Sequence, residues 1–140
     1  MRTLPPIRDE PARTVHPRTA KRIDEFGLKE ETKPLRLAEP LGYLELMALV
    51  RASAAVVTDS GGLQKEAYFA GKRAVVVMPD TGWRELTQSG WNSLSGTKAD
   101  ALARHIKKAL SPLEHPGDLY GTGQAAAAIV GAIANQRSLS

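Results

Sequence analysis

Short apolar runs and longer periodic stretches alternate along the chain from residue 14 to residue 135. The short runs predict buried strands, and the clearest of them, Ala74–Met78, stops at Pro79. Stretches with apolar residues three or four positions apart predict amphipathic helices. Predicted strands begin at Thr14 and cover 35–37, 54–57, 74–78 and 92–94; predicted helices open at Pro17, Tyr43, Leu63, Thr81, Thr97 and Gln124.

Alternating strands and helices favour parallel strands joined by right-handed crossovers. We therefore predict an α/β fold, a Rossmann-like parallel sheet with flanking helices. Residues 1–13 are predicted to be an irregular lead-in, and residues 14–140 one Rossmann-like domain. Ligands of such sheets bind at the carboxyl ends of the strands. One of these ends, after the predicted strand 54–57, carries the small-residue turn Asp59-Ser60-Gly61-Gly62.

Composition narrows the function classes. The 140 residues carry a net charge of +4, which suits an anionic ligand, but the basic residues are dispersed and aromatics are only 5%, so we expect no nucleic-acid partner. There is no cysteine, and no apolar run approaches the roughly 18 residues of a membrane span. The N-terminus has no apolar signal-peptide region. We expect a cytoplasmic protein with no membrane partner.

The Ser60-Gly61-Gly62 turn is the strongest candidate for chemistry. Two glycines let a backbone approach a ligand closely, and the first N–H groups of the following helix are free to donate to phosphate oxygens. A turn with a helix N-cap accounts for the same residues equally well. Glu66, one turn into the helix, suits a ribose diol, although an acid near a helix N-terminus is also favourable by itself. Asp59 fits an N-cap.

Other polar residues carry weaker signals. His16 and Arg18 lie at a predicted strand end, where they suit an anion. The three histidines lack the spacing of metal ligands, so no metal and no cofactor is expected. Asp80 and Glu85 fit exposed loop acids best. Trp83 and Trp91, the two tryptophans, are predicted to pack rather than to stack on a ligand.

Five segments in order resemble the C-terminal half of non-hydrolysing UDP-N-acetylglucosamine 2-epimerases. The matching segments are His16-Pro17-Arg18-Thr19, Pro40-Leu41-Gly42-Tyr43-Leu44, the stretch from Thr58 to Ala67, the weaker Gly90–Gly96, and Tyr120-Gly121-Thr122-Gly123-Gln124-Ala125. The similarity covers residues 15–135.

The resemblance implies a GT-B-like protein that binds a UDP-sugar between two Rossmann-like domains. It also implies interconversion of UDP-GlcNAc and UDP-ManNAc through elimination and re-addition of UDP, in polysaccharide biosynthesis. Residue matching assigns the diphosphate to Ser60, Gly61 and Gly62, and the ribose to Glu66. It places Leu41 and Leu46 near the uracil and His16 near the interdomain region.

The departures from the family pattern shape the functional hypothesis. The family's N-terminal domain, with its proton-moving carboxylates, has no counterpart in this chain, and neither has a central strand of the sheet, so two strands should have unpaired edges. Met78-Pro79-Asp80-Thr81-Gly82 stands where the family has Arg-Asp and Thr-Glu. We therefore expect a UDP-binding part that is inactive alone and has no catalytic residue of its own. The alternatives are a regulatory UDP-sugar-binding module and half of a split enzyme, with an N-terminal half in trans or a homodimer as partner.

Overall fold

The computed structural model describes residues 12–14, 17–34, 36–38 and 40–137. The strands are β1 (Ala12–Thr14), β2 (Arg36–Ala38), β3 (Val56–Thr58), β4 (Ala74–Val76) and β5 (Ser93–Leu94). The helices are α1 (Pro17–Glu25), α2 (Lys29–Thr32), α3 (Tyr43–Ala52), α4 (Gly61–Phe69), α5 (Arg84–Gln88), α6 (Ala99–Ala109) and α7 (Ala125–Arg137). The predicted alternation is confirmed. The domain division at residue 14 stays a prediction, since residues 1–11 lie outside the described ranges.

Every strand pairing in the described chain is parallel, which confirms the predicted α/β class. β1 pairs with β2, and a separate sheet has the order β3-β4-β5. β4 is the central strand of the larger sheet, and its three residues are at most 1% exposed. Within the described ranges β4 has two strand partners, whereas β1, β2, β3 and β5 have one each. The expectation that a missing strand leaves two strands with unpaired edges stays a prediction.

Two apolar clusters hold the larger sheet between its helices. The first contains Val50, Val56, Ala67 and Ala74, with Leu46, Met47, Leu63 and Ala70 packed against it. The second contains Tyr68, Leu86 and Trp91, with Trp83, Leu119 and Tyr120 packed against it. Because adjacent residues of α4 belong to different clusters, this helix is fixed from two sides and its N-terminus has a defined position.

A buried arginine joins the start of β4 to the ends of two helices. Arg73 is 7% exposed. Its guanidinium donates to the carbonyl oxygens of Gly90 and Trp91, after α5, at 3.3 and 3.1 Å. It also donates to those of Lys108 and Ser111, at the end of α6, at 2.7 and 3.2 Å. A cation at a helix C-terminus is favoured by the helix dipole, so Arg73 secures α6 against the sheet.

Three features differ from the sequence prediction or extend it. The predicted helix start at Thr97 is two residues too early, because Lys98 takes the extended N-cap conformation and α6 begins at Ala99 without a side-chain cap. α2 has no counterpart in the prediction, since its four charged or polar residues carry no apolar period. In α7, Ile129, Val130 and Ile133 are 53–67% exposed, so the apolar residues of this helix do not enter either cluster.

Candidate functional site

The turn after β3 has the geometry of an open helix N-terminus. Ser60 is the N-cap of α4, with extended backbone, and its Oγ accepts from the Leu63 N–H at 3.4 Å. Its own N–H donates to Thr58 Oγ1 at 2.9 Å. The N–H groups of Gly61 and Gly62 have no acceptor among the described residues, and both glycines are exposed. Two amide donors at the positive end of a helix dipole therefore face solvent.

The fold itself does not demand glycine at these two positions. Neither residue has a positive φ. A Cβ added at Gly61 would lie 3.6 Å from Trp83 Nε1, and one added at Gly62 would lie 3.9 Å from Ser60 Oγ, both ordinary van der Waals distances. Neither backbone conformation nor packing therefore requires glycine at the first two positions of α4. Glycine is expected at such positions where a ligand must approach the backbone closely.

The loop after β4 holds the turn from the side. Trp83 Nε1 donates to the Gly61 carbonyl at 2.7 Å. Thr81 Oγ1 donates to Gln64 Oε1 at 2.7 Å and accepts from the Trp83 N–H at 3.2 Å. Trp83 packs against the second cluster, as predicted, but no local pattern in the sequence indicates its bond to Gly61. Trp91, 4% exposed, has the predicted packing role.

A lysine lies between two aromatic rings beside this loop. Lys65 Nζ is 4.3 Å from the Trp83 ring centroid and 4.1 Å from that of Tyr120. The Tyr120 hydroxyl is buried and makes no well-formed hydrogen bond within the described chain. The Glu85 carboxylate nevertheless interacts with it electrostatically. Burial, and then the Glu85 carboxylate, raise the pKa of Tyr120. The pKa of Glu85 is lowered, first by its backbone amide and then by Tyr120 and Lys65.

Of the remaining predicted site residues, only Glu66 lies on the same helix as the glycine turn. Glu66 lies four residues after Gly62 on α4, so the two share a helix face. Glu66 is half-buried, and its side chain makes no hydrogen bond or ion pair with any described residue. Leu41 is half-buried just before α3, whereas Leu46 packs against the first core cluster. His16 lies outside the described residues. The structure thus brings Ser60, Gly61, Gly62 and Glu66 together on one helix.

Neither a metal-binding cluster nor a membrane-spanning helix is found in the described ranges. They contain no group of three or more His, Asp or Glu side chains arranged to hold a metal ion. No described helix combines the length and apolar character needed to cross a membrane.

Solved structures define the class of fold. The chain is similar to the UDP-GlcNAc 2-epimerase of Methanocaldococcus jannaschii, with a TM-score of 0.75 and 29% identity. The match covers 89% of this chain and 35% of that one. A second structure of that enzyme, in complex with UDP-GlcNAc and UDP, matches with a TM-score of 0.73. The class is therefore that of the GT-B epimerases.

Sequence comparison gives the family. The family model for UDP-N-acetylglucosamine 2-epimerase matches residues 9–134, and the chain belongs to this family. It is 41% identical over 116 residues to the UDP-2,3-diacetamido-2,3-dideoxy-D-glucuronate 2-epimerase of Pseudomonas aeruginosa, a match that covers 82% of this chain and 32% of that protein. It is 36% identical over 124 residues to a UDP-N-acetylglucosamine 2-epimerase homolog of Methanococcus maripaludis, covering 86% and 35%. The chain spans about a third of the length of these relatives.

Proposed function

We propose that this chain is the C-terminal, UDP-binding part of a UDP-GlcNAc 2-epimerase. The observation that carries the proposal is the pair of unpartnered N–H groups at Gly61 and Gly62, exposed at the start of α4 in the described chain. Backbone donors at a helix N-terminus form a ready site for a phosphate group. Membership of the family and the similarity to a structure holding UDP-GlcNAc and UDP support UDP as the ligand.

In the proposed complex each part of the nucleotide has its own contact. Ser60, Gly61 and Gly62 bind the diphosphate, and the Glu66 carboxylate, on the same helix face as Gly62, accepts from the ribose hydroxyls. Because that carboxylate has no described partner, it can bind a diol without breaking an existing contact. Leu41 and Leu46 are proposed to lie near the uracil. His16 remains a proposed contact near the sugar.

We further propose that the chain alone binds UDP-sugars without epimerising them. Epimerisation requires a base and an acid on the sugar, with pKa values near the working pH. Of the acids close to the turn, Glu85 has a lowered pKa and stays ionised, which makes it a poor proton donor. The carboxylate of Asp80 accepts from the adjacent Thr81 N–H at 2.7 Å. Glu85 therefore does not supply the general acid that epimerisation requires.

Calorimetry of the purified chain with UDP, UDP-GlcNAc and uridine tests the proposal. We expect UDP and UDP-GlcNAc to bind and uridine to bind far more weakly, since it lacks the diphosphate. Ser60→Ala and Glu66→Gln should each weaken binding of UDP by about 1–3 kcal/mol, the usual cost of one lost polar partner. Glu114→Gln, an exposed acid in a loop, is the matched control. Equal affinity for UDP and uridine would refute the assignment of the turn to phosphate.

A split enzyme is the second candidate, and the unpaired edge of β3 in the described chain favours it. A strand with an open edge is able to accept a strand from another chain. Coexpression with a separately encoded N-terminal half of the family should then give a complex with epimerase activity. Activity of the chain alone would contradict the inactivity that we propose.

A regulatory UDP-sugar-binding module is the remaining alternative. It predicts nucleotide binding with no gain of activity on mixing with an N-terminal half. Sedimentation at increasing concentration tests the homodimer, and fractionation of source cells tests the expected cytoplasmic location.

A further inference from the structure

We propose that Lys65 is a positioning residue for the nucleotide site: it holds Trp83 against Gly61 and so fixes the phosphate turn. The consequence for ligand binding rests on the proposed function of that turn. Lys65 itself is not proposed to touch the nucleotide. Its ammonium instead contacts the rings of Trp83 and Tyr120, which belong to different loops.

The first step is the geometry of Trp83. Its indole N–H donates to the Gly61 carbonyl at 2.7 Å, while its ring faces Lys65 Nζ with a centroid distance of 4.3 Å. Gly61 and Lys65 are four residues apart on α4, so they share a helix face. The indole therefore contacts two residues of α4 that are one turn apart, through the Gly61 carbonyl and the Lys65 ammonium.

The second step is the ring on the other side of the ammonium. Tyr120 has its centroid 4.1 Å from Lys65 Nζ and stands at 89° to the Trp83 ring. The loop that carries Tyr120 is itself anchored to α4: the Tyr68 hydroxyl donates to the Gly117 carbonyl and accepts from the Leu119 N–H at 3.1 Å. One cation thus connects two loops to the helix that begins at the turn.

The third step is the charge on Lys65. Within the described chain its ammonium makes no ion pair closer than 4.0 Å, and the ionised Glu85 carboxylate acts on the same cluster from further away. A cation over two aromatic faces is attracted by the quadrupole of each ring. The charge of Lys65 is therefore used to hold the rings.

Loss of that charge should loosen the turn before any ligand arrives. A freed indole no longer fixes the Gly61 carbonyl, and the orientation of the adjacent N–H groups becomes less defined. A site that must be ordered on binding has a lower affinity than a preorganised one. Lys65→Met keeps the length of the side chain and removes its charge, whereas Lys65→Arg keeps the charge and its affinity for aromatic faces.

The experiment combines NMR of the indole N–H groups with calorimetry of UDP binding. The chain has two tryptophans, and Trp83→Phe assigns their signals. In Lys65→Met we expect the Trp83 indole signal to shift and to exchange faster with water, and the affinity for UDP to fall roughly fivefold. Lys65→Arg should retain the parental Trp83 indole signal and the parental affinity for UDP. Lys107→Met, on the exposed side of α6, removes the same net charge and should change neither.

Two results would overturn the positioning role. One is a loss of UDP affinity in Lys65→Met with an unmoved Trp83 signal, which would make Lys65 a direct ligand contact. The other is an unchanged signal with an unchanged affinity. Failure of the unaltered chain to bind UDP would instead refute the proposed function, and the Trp83 signal would then decide whether Lys65 holds the indole.

Discussion

The Thr81 hydroxyl donates a 2.7 Å hydrogen bond to the side-chain oxygen of Gln64, and both residues are almost fully buried. Gln64 belongs to the helix that follows β3, and Thr81 to the loop that follows β4. The bond therefore joins the segments after two adjacent strands at the carboxyl edge of the sheet. Because that edge carries the proposed nucleotide site, stability and binding are linked at this pair.

Thr81→Val should lower the free energy of unfolding by about 1–3 kcal/mol, because it leaves the Gln64 oxygen buried without its donor. Urea denaturation measures the change. Thr87→Val is the matched control, since the Thr87 hydroxyl donates an exposed hydrogen bond to the Arg84 carbonyl of its own helix. In a double mutant with Gln64→Leu the combined loss should be smaller than the sum of the two single losses. Strict additivity would show that the two side chains do not interact.

Gly61→Ala and Gly62→Ala should separate folding from binding. Neither added Cβ meets an atom closer than 3.6 Å, so each variant should be as stable as the parent or up to about 1 kcal/mol more stable. Each should nonetheless weaken binding of UDP, because the methyl group occupies space in front of the free N–H groups. Thermal unfolding and calorimetry give the two quantities. A loss of stability with intact binding would indicate that the glycines serve the fold.

Arg73→Lys should be strongly destabilising although the charge is unchanged. A lysine cannot reproduce the planar guanidinium that reaches four carbonyl oxygens. We expect a loss of about 3 kcal/mol in the free energy of unfolding. Arg104→Lys, on the exposed face of α6, is the control and should change little. Near-parental stability of Arg73→Lys would mean that one or two of these contacts suffice.

Alkaline pH should destabilise the chain through Tyr120. Its pKa is raised in the folded state by burial of the hydroxyl and by Glu85, so the unfolded chain loses this proton first, at about pH 10. The contribution of Tyr120 to stability is therefore complete below about pH 10 and falls as the pH rises further.

Titration by the ultraviolet absorbance of the phenolate measures this effect. Tyr120 should give a late ionisation step, above the usual range of a tyrosine, and Tyr120→Phe should remove that last step. The same variant should show a weaker loss of stability with rising pH. Tyr43→Phe, at an exposed position, is the control. Persistence of the last step in Tyr120→Phe would assign it to another residue.

The alternation of strands and helices was predictable because strands buried in a parallel sheet are continuous apolar runs in the sequence. Ala74–Val76 is fully buried, and its run is the clearest in the chain. The turn at Ser60 was equally visible, since a cluster of small residues between a strand and a helix is typical of a helix N-terminus. Ser60 does act as the N-cap of α4.

The contacts around the turn were not predictable from local patterns. The bond from Trp83 to Gly61 spans 22 residues and that from Thr81 to Gln64 spans 17, so both depend on how the loops meet in space. Arg73 follows a helix in the sequence and looks like an ordinary exposed cation, yet tertiary packing buries it. The opposite holds for α7, where the apolar pattern suggests a buried helix face but Ile129 and Ile133 remain exposed.

The one-sided pairing of β3 has a consequence for hydrogen exchange. The Val56 N–H donates to the Arg73 carbonyl and the Thr58 carbonyl accepts from the Val77 N–H, at the two ends of β4, so the backbone of Val57 points to the opposite edge. Its amide should exchange quickly with deuterated solvent, between two neighbours that are protected. A polypeptide that adds to this edge would slow Val57 and leave Val56 and Thr58 almost unchanged. A single amide thus reports whether the edge of the sheet is occupied.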